Sequence, residues 1–358
     1  MVKILITAPS LNERENVSGI STIVRTIINN NKSANQFIHF RVGKKDGEKK
    51  GFKWVLNQLA LIPRLTAAVI SKKINIVYFN TDLTKPSIIR DYFLVTFAKY
   101  VLRRKIVLHI HGGHFLMTPP PEGSVFMKMI RGMFKCAQLC IVLSEIELKT
   151  IQKNYGVDGI SLPNAIELKE ILDSEKNFDE KLKLVFLGRV VNSKGIYQIA
   201  EALEALKDSY KDFDFHIYGS GPELDRFLNK LKSVDGLKYS YNGVVKGDEK
   251  WKALDQAHVF LLPSLYGEGM PIAMLEAMGR GCIPVVSDDA SISTVVENNV
   301  NGYIVKKGDS QSLKETIQQL LFNRSLLPQM SKVARSTISQ KFDIDNYLLK
   351  LNKYCSAL

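Results

Sequence analysis

Short apolar runs alternate with helix-patterned stretches along the whole chain, and this constrains the fold more than any other feature. The runs fall at 2–8, 37–42, 74–79, 106–110, 139–143 and 160–162, then at 182–187, 213–218, 237–241, 258–262, 283–287 and 302–305. Each reads as a strand buried on both faces, as in a parallel sheet. Helical patterns fill the gaps. In 20–29, for example, Ile20, Ile23, Val24, Ile27 and Ile28 share one side. Repeated strand–loop–helix units build open parallel sheets covered by helices. The units form two series of similar length, separated by an acidic stretch at 168–180. The predicted fold class is therefore α/β, with two Rossmann-like doubly wound domains. The first spans 1–165, the second 166–344. Ligands bind beyond the carboxyl ends of such strands, so a central cleft faced by both domains is the expected site.

At 358 residues the chain can build two cores. Its composition, 45% hydrophobic and 24% charged, is that of a soluble globular protein. No apolar run is expected to reach the roughly 18 residues of a membrane span. Residues 1–7 read as a strand rather than a secretory leader. The four cysteines, Cys136, Cys140, Cys282 and Cys355, form no C-x-x-C pair and read as reduced, buried thiols, the first two on one helix face. Charge is one-sided. Residues 1–165 hold 24 Lys and Arg against 10 Asp and Glu, whereas 166–358 hold 25 against 26. The excess clusters at Lys44-Lys45, Lys49-Lys50 with Lys53, Lys72-Lys73 and Arg103-Arg104-Lys105. A basic domain beside a neutral one suits an anionic surface or substrate. Residues 52–73 read as an amphipathic helix kinked at Pro63, either packed on the sheet or presenting Phe52 or Trp54 to a membrane.

The chemistry concentrates where strands end. After 258–262 come Pro263, a loop with Gly267 and Gly269, and a helical pattern beginning near Pro271, a residue suited to a first helical turn. A glycine loop leading into a helix N-terminus is an anion site. Glu268 stands in the loop and Glu276 about two turns into the helix. Arg189 and Lys194, five apart after strand 182–187, are placed to neutralise a diphosphate. His111, at a strand end beside Gly112-Gly113, is a polar group facing the cleft. Gly219-Ser220-Gly221 does not complete G-x-G-x-x-G, which argues against a dehydrogenase. His109, His111 and His114 lack a nearby carboxylate or thiol, and Asp343-Ile344-Asp345 opens a helix, so no metal is expected.

The ordered set Gly188-Arg189, Lys194-Gly195, Gly219-Ser220-Gly221-Pro222, Pro263-Ser264, the stretch from Glu268 to Met278, Pro284-Val285-Val286 and Asn301-Gly302 resembles the family-4 retaining glycosyltransferases of the GT-B fold. The first half matches more loosely, at Ser18-Gly19, His111-Gly112 and Pro163-Asn164. The resemblance implies that Arg189 and Lys194 bind the donor diphosphate. It implies that Glu276 bonds the ribose, and that Glu268 holds the sugar and β-phosphate with the backbone of Gly269, Met270, Pro271 and Ile272. Gly219, Gly221 and Val244 would line the donor pocket, Val244 near the base. Gly19 would approach the diphosphate, and His111 would bond a hydroxyl of the reacting sugar. A last helix at about 345–358 would rejoin the first domain. Catalysis would fall to His111, Glu268, Arg189 and Lys194, with no metal cofactor.

The expected reaction moves a sugar from a nucleotide diphosphate sugar, UDP first and GDP second, to a hydroxyl of a lipid-linked saccharide in O-antigen, capsule or exopolysaccharide synthesis. The partners would be the nucleotide sugar, that acceptor and the anionic inner membrane surface, with the protein cytoplasmic and peripheral. A soluble transferase acting on a small-molecule or protein acceptor is the alternative. More distant alternatives are a non-catalytic sugar-nucleotide binder and a nucleic-acid-binding protein. The latter is disfavoured by the absence of aromatic–basic RNA motifs and zinc ligands.

Overall fold

The computed structural model describes residues 1–43, 48, 51–171 and 175–358. Lys44, Lys45, Lys49 and Lys50 of the basic clusters, and part of the acidic stretch, lie outside the described residues. The chain divides into two compact units, one of Met1–Ala165 with Ile344–Leu358, the other of Ile166–Asp343.

The first unit runs β1 (Lys3–Ala8), α1 (Gly19–Asn30), β2 (Gln36–Arg41), α2 (Phe52–Leu59), α3 (Leu61–Ser71), β3 (Ile76–Thr81), α4 (Lys85–Tyr100), β4 (Lys105–Ile110), α5 (His114–Met117), α6 (Val125–Cys136), β5 (Leu139–Val142), α7 (Glu145–Tyr155) and β6 (Ile160–Ser161). The strands are parallel, in the order β2-β1-β3-β4-β5-β6. The order in which strands are added reverses between β1 and β3, which makes that strand pair the unit's switch point. All six residues of β3 are buried, as a strand covered on both faces requires. Leu65, Val69, Val95 and Ile130 pack against the sheet with no exposed surface. Each such side chain stabilises the fold by about 1.5–3 kcal/mol.

The second unit runs β7 (Leu182–Leu187), α8 (Ile196–Glu204), β8 (Phe213–Tyr218), α9 (Leu224–Lys232), β9 (Tyr239–Tyr241), α10 (Gly247–Gln256), β10 (Val259–Leu262), α11 (Ile272–Gly279), β11 (Ile283–Ser287), β12 (Tyr303–Val305), α12 (Ser310–Phe322) and α13 (Leu327–Lys341). Its parallel order is β12-β11-β10-β7-β8-β9, with the switch between β7 and β10. A last helix, α14 (Ile344–Ala357), returns to the first unit. There Asn352 bonds Ser33 at 2.6 Å and Asn35 at 3.1 Å, and Leu351 and Cys355 are fully buried.

Several local expectations are corrected. The stretch 52–73 is two helices, and the break comes at Ala60, not Pro63. Pro63 falls in the first turn of α3, where its missing N–H leaves no hydrogen bond unmade. The apolar side is divided too. Leu61 and Leu65 enter the core, but Phe52 and Leu59 are 78% and 69% exposed. By length and composition, Trp54–Ser71 also meets the requirements of a membrane span, contrary to the reading that no such run exists. Cys136 and Cys140 do not share a helix face, because α6 ends at Cys136 and Cys140 lies in β5. All four thiols are buried and unbridged. Between β11 and β12 the chain makes a single tight turn at Ile292–Thr294.

Candidate functional site

In the second unit the loops that leave β7 and β10 meet at the switch point. They lie in direct backbone contact, with Leu265 N–H donating to Ser193 O at 2.8 Å. Gly195 has φ +71°, and a Cβ there would stand 2.0 Å from Pro263 O, so only glycine lets the two loops close together. The loop after β10 then turns inward and carries Glu268 to a site where it is 7% exposed.

Glu268 is held from several loops at once. Its Oε1 accepts from Ser264 Oγ at 2.7 Å and is ion-paired with Lys194 from the β7 loop. Its backbone N–H donates to Asp289 Oδ2 at 2.8 Å, and Lys307 Nζ lies 2.6 Å from Asp289 Oδ1. Two neighbouring carboxylates, flanked by two cations, thus line the ends of β7, β10, β11 and β12. Ser287 Oγ, itself fully buried, donates to Ser264 O and ties the loop down further. Carboxylates this deep are tolerated because each is paired and hydrogen-bonded.

Helix α11 starts directly after this loop. Pro271 is its N-cap rather than a residue of its first turn, because Met274 and Leu275 N–H both donate to Pro271 O, at 3.1 and 3.3 Å. Ile272 and Ala273 N–H have no acceptor within the helix, and the dipole adds positive potential there. Glu276, 4% exposed, lies on the next turn, with Lys250 Nζ of α10 at 2.6 Å from its Oε1. Lys250 also sits 4.1 Å from the centre of the Trp251 ring, and Arg280 stacks on that ring at 5.1 Å.

Of the two cations expected to meet an anion, Lys194 is already paired. Arg189 is exposed and makes no ion pair among the described residues. Gly219 and Gly221 have a packing role. A Cβ on either would fall 1.8 Å from Gly188 O or 2.1 Å from Val190 O, so both let the β8 loop lie on the β7 loop. Val244 is 39% exposed and follows Gly243, whose carbonyl accepts from Gly219 N–H at 2.7 Å. Gly269 and Met270 are buried between Glu268 and α11. Sequence reasoning missed Lys250, Asp289 and Lys307. Asp288-Asp289 reads as turn chemistry, and only its place at a strand end, one strand from the switch point, could have singled it out.

The first unit holds the other two predicted residues. Gly19 is the first residue of α1, after Ser18, whose side chain caps the helix by accepting from Ser21 N–H. The preceding loop is cross-tied, with Asn16 Oδ1 accepting from Ser18 N–H at 3.0 Å and Ser21 Oγ at 2.9 Å. His111 follows β4, and its backbone N–H donates to Thr81 O at 2.8 Å. Its ring Nε2 lies 2.8 Å from Asn80 Oδ1, and its ring centre 4.0 Å from that of His109. Burial pushes the His111 imidazole down to about 4, against an opposing pull from Asp82. Burial, reinforced by His111, drives His109 down as well. Both rings are therefore neutral at pH 7. Among the described residues no three His, Cys, Asp or Glu side chains converge as metal ligands.

Residues 169–337 match the family model described as glycosyl transferases group 1. A Bacillus subtilis glycosyltransferase named for teichuronic acid biosynthesis, TuaC, is 26% identical over 247 residues, covering 66% of this chain and 60% of its own length. The amylovoran biosynthesis glycosyltransferase AmsK of Erwinia amylovora is 29% identical over 171 residues, 46% of this chain and 42% of its own. The matched part is thus less than two thirds of either relative. Among solved structures, Anabaena HepE in complex with UDP and glucose superposes over all of both chains with a TM-score of 0.77 at 16% identity, so the GT-B fold is shared.

Proposed function

We propose that this chain, whose residues 169–337 match the model of group 1 glycosyl transferases, transfers a sugar from a nucleotide diphosphate sugar to an acceptor hydroxyl in bacterial surface-polysaccharide synthesis. The observation that carries this reading is the Lys194–Glu268 pair, set at the β7–β10 switch point and followed by the N-terminus of α11. A diphosphate has what this place lacks, a mobile negative charge. Its oxygens draw Lys194 away from Glu268 and accept from Ile272 and Ala273 N–H. Arg189, exposed beside them, adds a second cation as the leaving group gains charge. Glu268, released from Lys194 but still held by Ser264, accepts hydroxyls of the sugar. Glu276 keeps one oxygen on Lys250 and offers the other to the ribose. No metal takes part, because the cations and the helix dipole carry the diphosphate.

UDP is the favoured nucleotide, in keeping with the UDP complex of HepE. Transfer with retention is read from the sequence resemblance. A lipid-linked acceptor and a peripheral place on the cytoplasmic membrane face fit the basic first unit. They also fit the exposed Phe52, Leu56 and Leu59 on α2 and the exposed Lys72 and Lys73 that follow α3. Purified protein incubated with UDP- and GDP-sugars is expected to release nucleotide only when a lipid-linked saccharide is supplied. Silence with every donor and acceptor would reject transfer. Flotation with anionic vesicles at low salt, lost at 0.5 M salt, tests the membrane component separately.

A further inference from the structure

His111 stands at the end of β4, but its ring is fixed from β1 by way of β3. Asn80, in β3 and 3% exposed, sends its Nδ2 to the backbone carbonyl of Thr7 in β1 at 2.8 Å. A carbonyl only accepts, so this bond settles which end of the amide is which. Asn80 N–H also donates to Thr7 Oγ1 at 3.0 Å, which holds the residue in register with β1. The amide oxygen therefore faces His111 Nε2 across 2.8 Å. An amide oxygen cannot donate either, so Nε2 must carry the proton. In a neutral ring Nδ1 is then bare, and it makes no hydrogen bond among the described residues.

We infer that Asn80 is a positioning residue that locks His111 in the Nε2–H form, so that Nδ1 accepts a hydrogen bond from a ligand hydroxyl. The chain Thr7 O, Asn80, His111 spans the β1–β3 switch point, where a parallel sheet of this order binds its ligand. The lock also sets a preference. A sugar or lipid hydroxyl has a proton to give to Nδ1, whereas an ionised phosphate does not. His111 is thereby tuned to hydroxyl groups rather than to the diphosphate. The ligand's being a saccharide rests on the proposed glycosyl transfer, but the state of the ring does not.

The test reads the ring directly. In ¹⁵N-labelled, ligand-free protein at pH 7, long-range ¹H–¹⁵N correlations are expected to show His111 as a single form, with Nε2 pyrrole-like and Nδ1 pyridine-like. His111→Gln identifies the signals. In Asn80→Leu, which keeps the volume and removes the acceptor, the two nitrogen shifts are expected to move toward each other as both forms exchange. kcat/KM should fall about tenfold, with nucleotide affinity unchanged. A wild-type ring protonated at Nδ1 would overturn the inference, even if Asn80→Leu failed to fold. So would an Asn80→Leu protein that keeps both limiting shifts, or one whose tautomer relaxes with no loss of turnover. A correct tautomer in a protein inactive with every nucleotide sugar would sink the glycosyl-transfer reading instead.

Discussion

The two units share a plan, a parallel sheet with loops gathered at the strand ends, yet they prepare those ends differently. In the second unit the switch-point side chains are ionised and paired: Lys194 with Glu268, Lys307 with Asp289, Lys250 with Glu276. In the first, the three residues at the corresponding strand ends, Thr7, Asn80 and His111, are uncharged and joined by hydrogen bonds alone. An ion pair can be exchanged for another ion pair when a charged ligand arrives. A neutral relay cannot capture a phosphate, but it holds a ring in one orientation. The unit with the larger positive charge thus has the uncharged site, and the nearly neutral unit has the charged one. Net charge reports on surfaces, and the switch point is set by local pairing.

The largest effect should come from breaking the charged clamp. Lys194→Ala removes the partner of a nearly buried carboxylate and the first cation to meet the diphosphate. kcat/KM is expected to fall by about 10²–10³ in a nucleotide-release assay, with a fall of about 3 kcal/mol in unfolding free energy by urea titration. Full activity in this variant would remove the basis for the donor site. Glu276→Gln keeps an acceptor but removes the charge that Lys250 meets at 2.6 Å and weakens the acceptor for the ribose, and UDP binding by calorimetry should weaken about tenfold. The same change should matter much less for a ligand lacking the ribose diol, which separates loss of ribose contact from loss of shape.

Asp289→Asn is milder. It keeps an acceptor for Glu268 N–H and loses the charge that Lys307 meets, so about 1 kcal/mol of stability should be lost, with a higher KM and little change in kcat.

Buried histidines of both units leave a signature in pH. His111 and His258 are held down to about 4, and His109, His39 and His216 are lowered too, burial being the first cause in each. The unfolded chain takes up these protons near pH 6.5, before the folded one does. Stability is therefore full above about pH 7 and is lost as pH falls from 6.5 toward 4. His258 alone, 7% exposed, accounts for about 3 kcal/mol across that window. Tm should drop steadily between pH 7 and 5, and His258→Gln should flatten part of that slope. A Tm independent of pH over this range would contradict the neutral, buried state of these rings.

Much of the fold is legible in the sequence because its signals are local. The run Val259–Leu262 is apolar on both faces, Gly267 and Gly269 break the chain after it, and α11 follows. Glu268, Arg189 and Lys194 stand out for the same reason, as charged groups in the loops that follow strands, and Glu276 as an acid on the helix after the glycine loop. Where local signals conflict, the reading errs. Pro63 suggests a kink, but a proline in a first turn does not bend a helix. Four-residue spacing puts Cys136 and Cys140 on one face only if the helix runs on, and it stops at Cys136.

The sequence by itself determined the alternation of strand and helix, the glycine loop before α11 and the acids and cations available to a site. Tertiary structure alone decided their partners. Lys194 reaches Glu268 across 74 residues, and Lys250 reaches Glu276 across 26. Asn80 meets Thr7 across 73 residues and His111 across 31. The reason lies in the parallel sheet. Each strand returns to the same edge only after a crossover, so neighbouring loops are distant in sequence, and strand order, not spacing along the chain, sets which charges touch.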